Sequence, residues 1–145
     1  MAELIATFVL DSFAIIAHFQ AESGGEKVLE LLEKAGNGEV LLVMSLINVG
    51  EVMYLVSREE GKEQAKMLLD DLRALPIKFY DATEERILAA AWLKAEHLVS
   101  YADAFAVSLT HELNASLVTG DPEIKRLKNI VSLTWLTRQA SDHRP

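Results

Sequence analysis

Two observations predict an α/β domain with a parallel sheet covered by helices on both faces. Five short apolar runs carry the β-branched bias of strands, and the segments between them carry helical period. The runs are Ala6–Leu10, Val40–Met44, Ile77–Tyr80, Ser116–Val118 and Ile130–Leu133. Strand alternating with helix is the pattern of βαβ units, whose crossovers lay helices over the sheet and give a three-layer α/β/α arrangement. The 145 residues, half of them hydrophobic, with 7 Gly and 3 Pro, suit one compact domain large enough to bury a core.

Taken in order, the first strand runs into Asp11 and the segment SFAIIAHF, which reads as a helix opened by that acid. Val28, Leu31, Leu32 and Ala35 repeat at i, i+3, i+4 and i+7 and predict the next helix. After the second strand, Val49, Val52, Met53 and Val56 repeat the spacing, followed by Ala65, Leu68, Leu69 and Leu72. A helix is expected from about Thr83 to His97, built on Ile87, Leu88, Ala91, Trp92 and Ala95, and another on Ala102, Phe105, Ala106 and Leu109. Pro122 suits the first position of a last helix. The closing TRQASDHRP is polar and reads as a tail, dividing the chain into a domain over 1–136 and a tail over 137–145.

The formal charge of −8, from 14 basic and 22 acidic residues, argues against a general nucleic-acid coat, whose affinity would come from basic charge. It leaves open an enzyme acting on nucleic acid, since bound cations reverse the sign of the field at an acidic site. No apolar run approaches the ~18 residues of a membrane span. The start, MAELIATFVL, has no basic leader and is not expected to be a signal peptide. The absence of cysteine rules out disulfides and thiolate metal sites and is compatible with a cytoplasmic protein.

Four acids stand out: Asp11 in FVLDSFAII, Glu51 in SLINVGEVMYL, Asp103 in LVSYADAFAVSL and Asp121 in SLVTGDPEI. Three of them have a structural alternative as helix caps. Asp11 follows a strand, Asp121 precedes Pro122, and Asp103 stands at capping-box distance from Ser100. Glu51 has none. It lies inside an apolar helix, where Ser45, Asn48 and Glu51 at i, i+3 and i+6 make a short polar ladder. Thr119 and Gly120 form a small polar turn suited to the close approach of an ion or a phosphate. In parallel sheets ligands bind beyond the carboxyl ends of the strands, and Asp11 and Asp121 belong to that edge. Carboxylates a few ångströms apart repel by roughly 4 kcal/mol per pair at an effective dielectric near 20, so protons or cations must offset a cluster of them. Hard oxygen ligands without His or Cys favour Mg2+ or Mn2+ over zinc.

With these motifs in this order, spaced by 40, 52 and 18 residues, the chain resembles the PIN-domain ribonucleases over nearly its full length, and most closely the VapC-type toxins of toxin–antitoxin pairs. The resemblance implies a sheet of five parallel strands in the order 3-2-1-4-5. It implies a metal-dependent endoribonuclease that hydrolyses RNA phosphodiester bonds by metal-activated water, leaving a 5′-phosphate and a 3′-hydroxyl. A homodimer and inhibition by a cognate VapB-like antitoxin are implied as well. It carries Asp11, Glu51, Asp103 and Asp121 to the catalytic metal site, with Ser12, Asn48 and Thr119 in support, and no acid departs from the pattern. The alternatives are a solitary PIN-domain RNA-processing nuclease, a non-catalytic dimeric binding module, and a phosphotransfer domain, which lacks the lysine expected after its last strand.

RNA contacts are expected from Lys125, Arg126 and Lys128, and less from Arg86 and Lys94; each also reads as an ordinary solvated cation. His18, His97 and His111 lie in no triad-like pattern and are read as structural. Met53, Tyr54 and Leu55 are apolar positions suited to an antitoxin groove or to a dimer contact.

Overall fold

The computed structural model describes residues 4–137. Five strands, β1 (Ala6–Leu10), β2 (Val40–Ser45), β3 (Lys78–Tyr80), β4 (Ser116–Thr119) and β5 (Ser132–Trp135), form one sheet. All pairings are parallel and the order is β3-β2-β1-β4-β5, as the resemblance implied. The connecting helices are α1 (Ser12–Phe19), α2 (Gly25–Gly36), α3 (Leu46–Glu60), α4 (Lys62–Arg73), α5 (Glu84–Glu96), α6 (Tyr101–Glu112) and the short α7 (Pro122–Lys125).

Strand alternation divides the core in two. Leu10, Leu42, Met44 and Val118 face a layer built from α1 to α4, where Ile15, Val28, Leu31, Val52, Val56 and Leu72 are buried. Val9, Val43 and Leu117 face the opposite layer, with Ala90, Phe105, Ala106, Leu109, Ile124 and Leu127 from α5 to α7. Both faces of the sheet are therefore covered, which is why its strands read as near-continuous apolar runs.

The fifth strand lies two residues later than the sequence suggested. Beyond α7 the chain keeps turning, with the Ile130 and Val131 N–H groups both donating to the Leu127 carbonyl at 2.9 and 3.2 Å. Val131 spends its apolar side chain plugging the core from that turn, so pairing with β4 begins at Ser132. Ile77 is likewise buried just ahead of β3, its N–H bonded to Leu75 O. Apart from Thr137, the polar tail expected over 137–145 lies outside the described residues.

Two glycines have opposite roles. A Cβ on Gly25 would stand 2.7 Å from the Ala17 carbonyl oxygen, so glycine lets the start of α2 pass against α1. Gly50 lies within α3 with open space around its missing Cβ. Gly25→Ala is expected to destabilise the domain by about 1–3 kcal/mol through backbone overpacking. Gly50→Ala is expected to stabilise it by roughly 0.5–1 kcal/mol through helix propensity. Urea titration monitored by circular dichroism measures both.

Candidate metal centre at the carboxyl edge of the sheet

The chain runs from β1 outward through β2 to β3, then crosses to the other side of β1 to form β4, so the strand order reverses between β1 and β4. A crevice opens at such a reversal, beyond the carboxyl ends of the strands. Leu10 pairs in register with Val118, which brings the next residues, Asp11 and Thr119, level with each other. The Thr119 hydroxyl bonds the Asp11 carboxylate and also accepts the Asp121 N–H at 3.0 Å. One threonine thus touches both Asp11 and the backbone of Asp121.

Three acids reach the site from helix starts, and two of them, Asp11 and Asp121, cap their helices at the same time. Asp11 Oδ1 accepts the Ala14 N–H at 2.8 Å, and Asp121 Oδ1 accepts the Glu123 N–H at 2.9 Å. Ser100 caps α6 by accepting the Asp103 N–H at 3.1 Å. Each capping bond fixes the local chain and leaves carboxylate oxygen over. Glu51, in the second turn of α3, approaches from the side and accepts a hydrogen bond from the Ser12 hydroxyl.

A cleft of about 290 Å3 is lined by Ser12, Glu51, Ser100, Asp103 and Asp121, together with Phe13, Ile16, Leu55, Glu22 and Glu123. Three of the four sequence-selected acids therefore face one space. The fourth, Asp11, is 1% exposed and lies outside that lining, close enough to Asp103 and Asp121 for their charges to act on it. Asp103, Asp121 and Glu123 each offer an oxygen within 4.8 Å of the others. Glu123 was not anticipated, although it stands two residues after Asp121 on the first turn of α7. Glu22 was not anticipated either. It comes from the loop between α1 and α2, where a backbone bond to Ala17 O places it and no periodicity marks it.

The supporting residues divide by task. Ser45 ends β2 and caps α3 by accepting the Ile47 N–H. Asn48 is fully buried, and its Nδ2 donates to Ala102 O at 3.1 Å, tying α3 to the first turn of α6. Its Oδ1 accepts no hydrogen bond among the described residues. At Gly120 the Phe13 ring occupies the place of a side chain, its Cε1 2.5 Å from where a Cβ would stand.

The cations lie elsewhere. Lys125 sits over the Trp135 ring at 5.1 Å. Arg86 pairs with Glu112 and packs over Tyr80, and Lys94 donates to Val99 O. Arg126 and Lys128 are exposed, and no Lys or Arg lines the acid cleft among the described residues. His18 packs edge-on against Phe19, and burial pulls its pKa below the usual value. Met53 packs against the core, Tyr54 is exposed beneath Arg58, and Leu55 turns into the acid cleft.

Burial and crowding set the electrostatics. Burial pushes the Asp11 carboxyl up from 3.8 to about 7, with Asp103 and Asp121 adding to the rise and bonds from Thr119 and Ala14 opposing it. Asp103 is raised too, by burial first and then by the charge of Asp121, while Ser100 draws it down and Glu51 raises it further. A cluster that resists ionisation on its own is one that a divalent cation would relieve.

The PIN-domain family model matches residues 8–130. The chain belongs to the PIN-domain family. Among curated proteins, comparison finds no match. Among solved structures, this PIN domain is similar to Rickettsia felis VapBC2 bound to a DNA fragment from its promoter, with TM-score 0.69, 23% identity, and coverage of 90% of this chain and 99% of that one. DNA-bound VapBC from Salmonella typhimurium gives TM-score 0.70 at 14% identity, covering 92% and 100%. VapC20 of Mycobacterium tuberculosis, a sarcin–ricin-loop-cleaving toxin, gives 0.63 at 16% identity, covering 83% and 94%. At these identities the likeness is one of fold. No helix among the described residues is long and apolar enough to cross a membrane.

The raised carboxyls make a pH prediction for the metal-free PIN domain. Well below pH 3.8 Asp11 is protonated in both folded and unfolded chains and costs nothing. As pH rises from 3.8 to about 7, the unfolded chain releases the proton while the folded one keeps it, so stability falls. The loss from Asp11 is of order 4 kcal/mol once pH exceeds 7. Thermal melting in EDTA is expected to drop between pH 5 and pH 8, and Mn2+ to raise it at pH 8 far more than at pH 5. Asp11→Asn is expected to flatten the metal-free profile.

Proposed function

We propose that this PIN domain is a metal-dependent endoribonuclease acting as the VapC-type toxin of a toxin–antitoxin pair. The observation that carries the reading is the meeting of Asp103, Asp121 and Glu123 oxygens within 4.8 Å in a cleft that Glu51 also lines, with Asp11 behind. An all-carboxylate donor set fits Mg2+ or Mn2+. Such an ion supplies Lewis acidity toward the scissile phosphate and a more acidic water. Asp11, Asp103 and Asp121 would hold it, with Glu123 as a further oxygen donor, and Asp11 also holds the start of α1. Glu51, steadied by Ser12, contributes directly or through a water. Ser12, Thr119 and Asn48 position these groups rather than meeting substrate. Arg126 and Lys128, exposed beyond α7, contact flanking phosphates; Lys125 reaches them only by leaving Trp135.

The nuclease reading draws support from the family, and the toxin reading from neighbours described as VapBC complexes and, in one case, as cleaving the sarcin–ricin loop. A VapB-like antitoxin is the proposed partner, the cytoplasm the proposed location, and 1–136 the catalytic unit. A homodimer is supported by the outer face of α5, where Ile87, Leu88 and Trp92 are exposed, Trp92 by 67%. That stripe suits a second copy better than do Met53, Tyr54 and Leu55, two of which are engaged within the fold. Trp92→Glu is expected to shift the protein from dimer to monomer in sedimentation, without loss of helical signal.

The function is tested with purified protein and a fluorophore–quencher RNA. Cleavage is expected with Mn2+ and none in EDTA. Asp103→Asn is expected to lower the rate by at least about a hundredfold while the protein still folds. Cleavage that persists in EDTA would overturn the metal mechanism.

A further inference from the structure

We propose that Phe13 is a stacking platform for a base of the RNA strand bound at the acid cleft, an inference that rests on the ribonuclease reading above. Phe13 is the second residue of α1, immediately past the Ser12 that holds Glu51. Its side chain lines the acid cleft and is 39% exposed, and it is the one aromatic residue among the cleft's described lining.

An exposed phenylalanine among carboxylates calls for an explanation, and two features of the site supply one. The first is that the ring is seated. Its Cε1 and Cζ stand 2.5 and 2.8 Å from the position of a Cβ on Gly120, so any side chain there would displace it. Gly120 has no positive φ to require glycine; the room it leaves is taken by the ring. The platform is fixed by β4 and α7, which also carry Thr119 and Asp121, and so keeps a constant relation to the acids.

The second is the charge of the walls. Glu22, Glu51, Asp103, Asp121 and Glu123 surround the space, and among the described residues no lysine or arginine lines it. A divalent ion can neutralise the acids and hold one phosphate, but the nucleotides on either side find no lysine or arginine on these walls. Arg126 and Lys128 can meet phosphates beyond the cleft, but within it a nucleotide draws its affinity from uncharged surface, and in single-stranded recognition that surface is an aromatic face under a base. Ile16 and Leu55 lie on the same cleft and extend the apolar patch. Since every base has a π-face, the platform raises affinity for unpaired RNA without choosing a sequence.

The test compares two oligomers of equal length in Mn2+, single-stranded oligoadenylate and an abasic ribose-phosphate chain, read as inhibition constants against cleavage of the fluorescent RNA. The wild-type protein is expected to favour oligoadenylate by about tenfold or more. Phe13→Leu, which keeps apolar bulk, and Phe13→Ala are both expected to close that gap and raise KM for RNA by a similar factor. Phe13→Trp is expected to keep the gap or widen it. If wild type cleaves RNA but does not distinguish the two oligomers, or if Phe13→Leu keeps the gap, the platform is refuted and the ribonuclease reading stands. A change confined to binding of a protein partner refutes it equally. If wild type neither cleaves nor binds RNA, both fall.

Discussion

Like charge gathered at one edge of a parallel sheet is the constraint around which this domain is arranged. Topology brings Asp11 and Asp121 to neighbouring strand ends, and α3 and α6 add Glu51 and Asp103 from the flanks. Burial first, and the charge of neighbouring acids after it, raises the carboxyls of Asp11 and Asp103. Asp11 and Asp121 are tied by helix-start N–H groups, those of Ala14 and Glu123, which need acceptors anyway. Asp103 is held through its backbone, whose N–H donates to the Ser100 hydroxyl at the start of α6.

Capping and ligation are therefore one arrangement seen from two sides. An N-cap acid accepts a backbone bond through one oxygen and presents negative charge ahead of the helix, while the positive end of the helix dipole eases that charge. Glu51 is the exception that needs another side chain, and Ser12 provides it from the turn after β1. Charge neutralisation, helix termination and strand register meet in a handful of residues, and changing one disturbs the others.

Much of this was legible in the sequence because its signals are local. Strand runs, helical periods and the four acids each follow from a dozen residues of context, and parallel order from their alternation. What escaped depended on contacts between distant segments. Glu22 faces the cleft because the loop between α1 and α2 folds back on Ala17, which no pattern encodes. The lack of a side chain at Gly120 makes room for the ring of Phe13, more than a hundred residues earlier, which the turn's own sequence does not show. Ile130 and Val131 carry strand propensity yet belong to a turn, since a buried plug was worth more there than pairing. The engagement of Arg86 with Glu112, on a helix 26 residues away, was likewise invisible from either segment alone.

Asn48 adds a mechanical property to the domain. Its amide joins the helix bearing Glu51 to the helix bearing Asp103, deep in the protein. A hydrogen bond weakens steeply with distance and angle, so it holds two helices at one spacing more narrowly than an aliphatic contact, which tolerates sliding. Glu51 and Asp103 stand on the walls of the cleft, and this strut between their helices bears on its aperture.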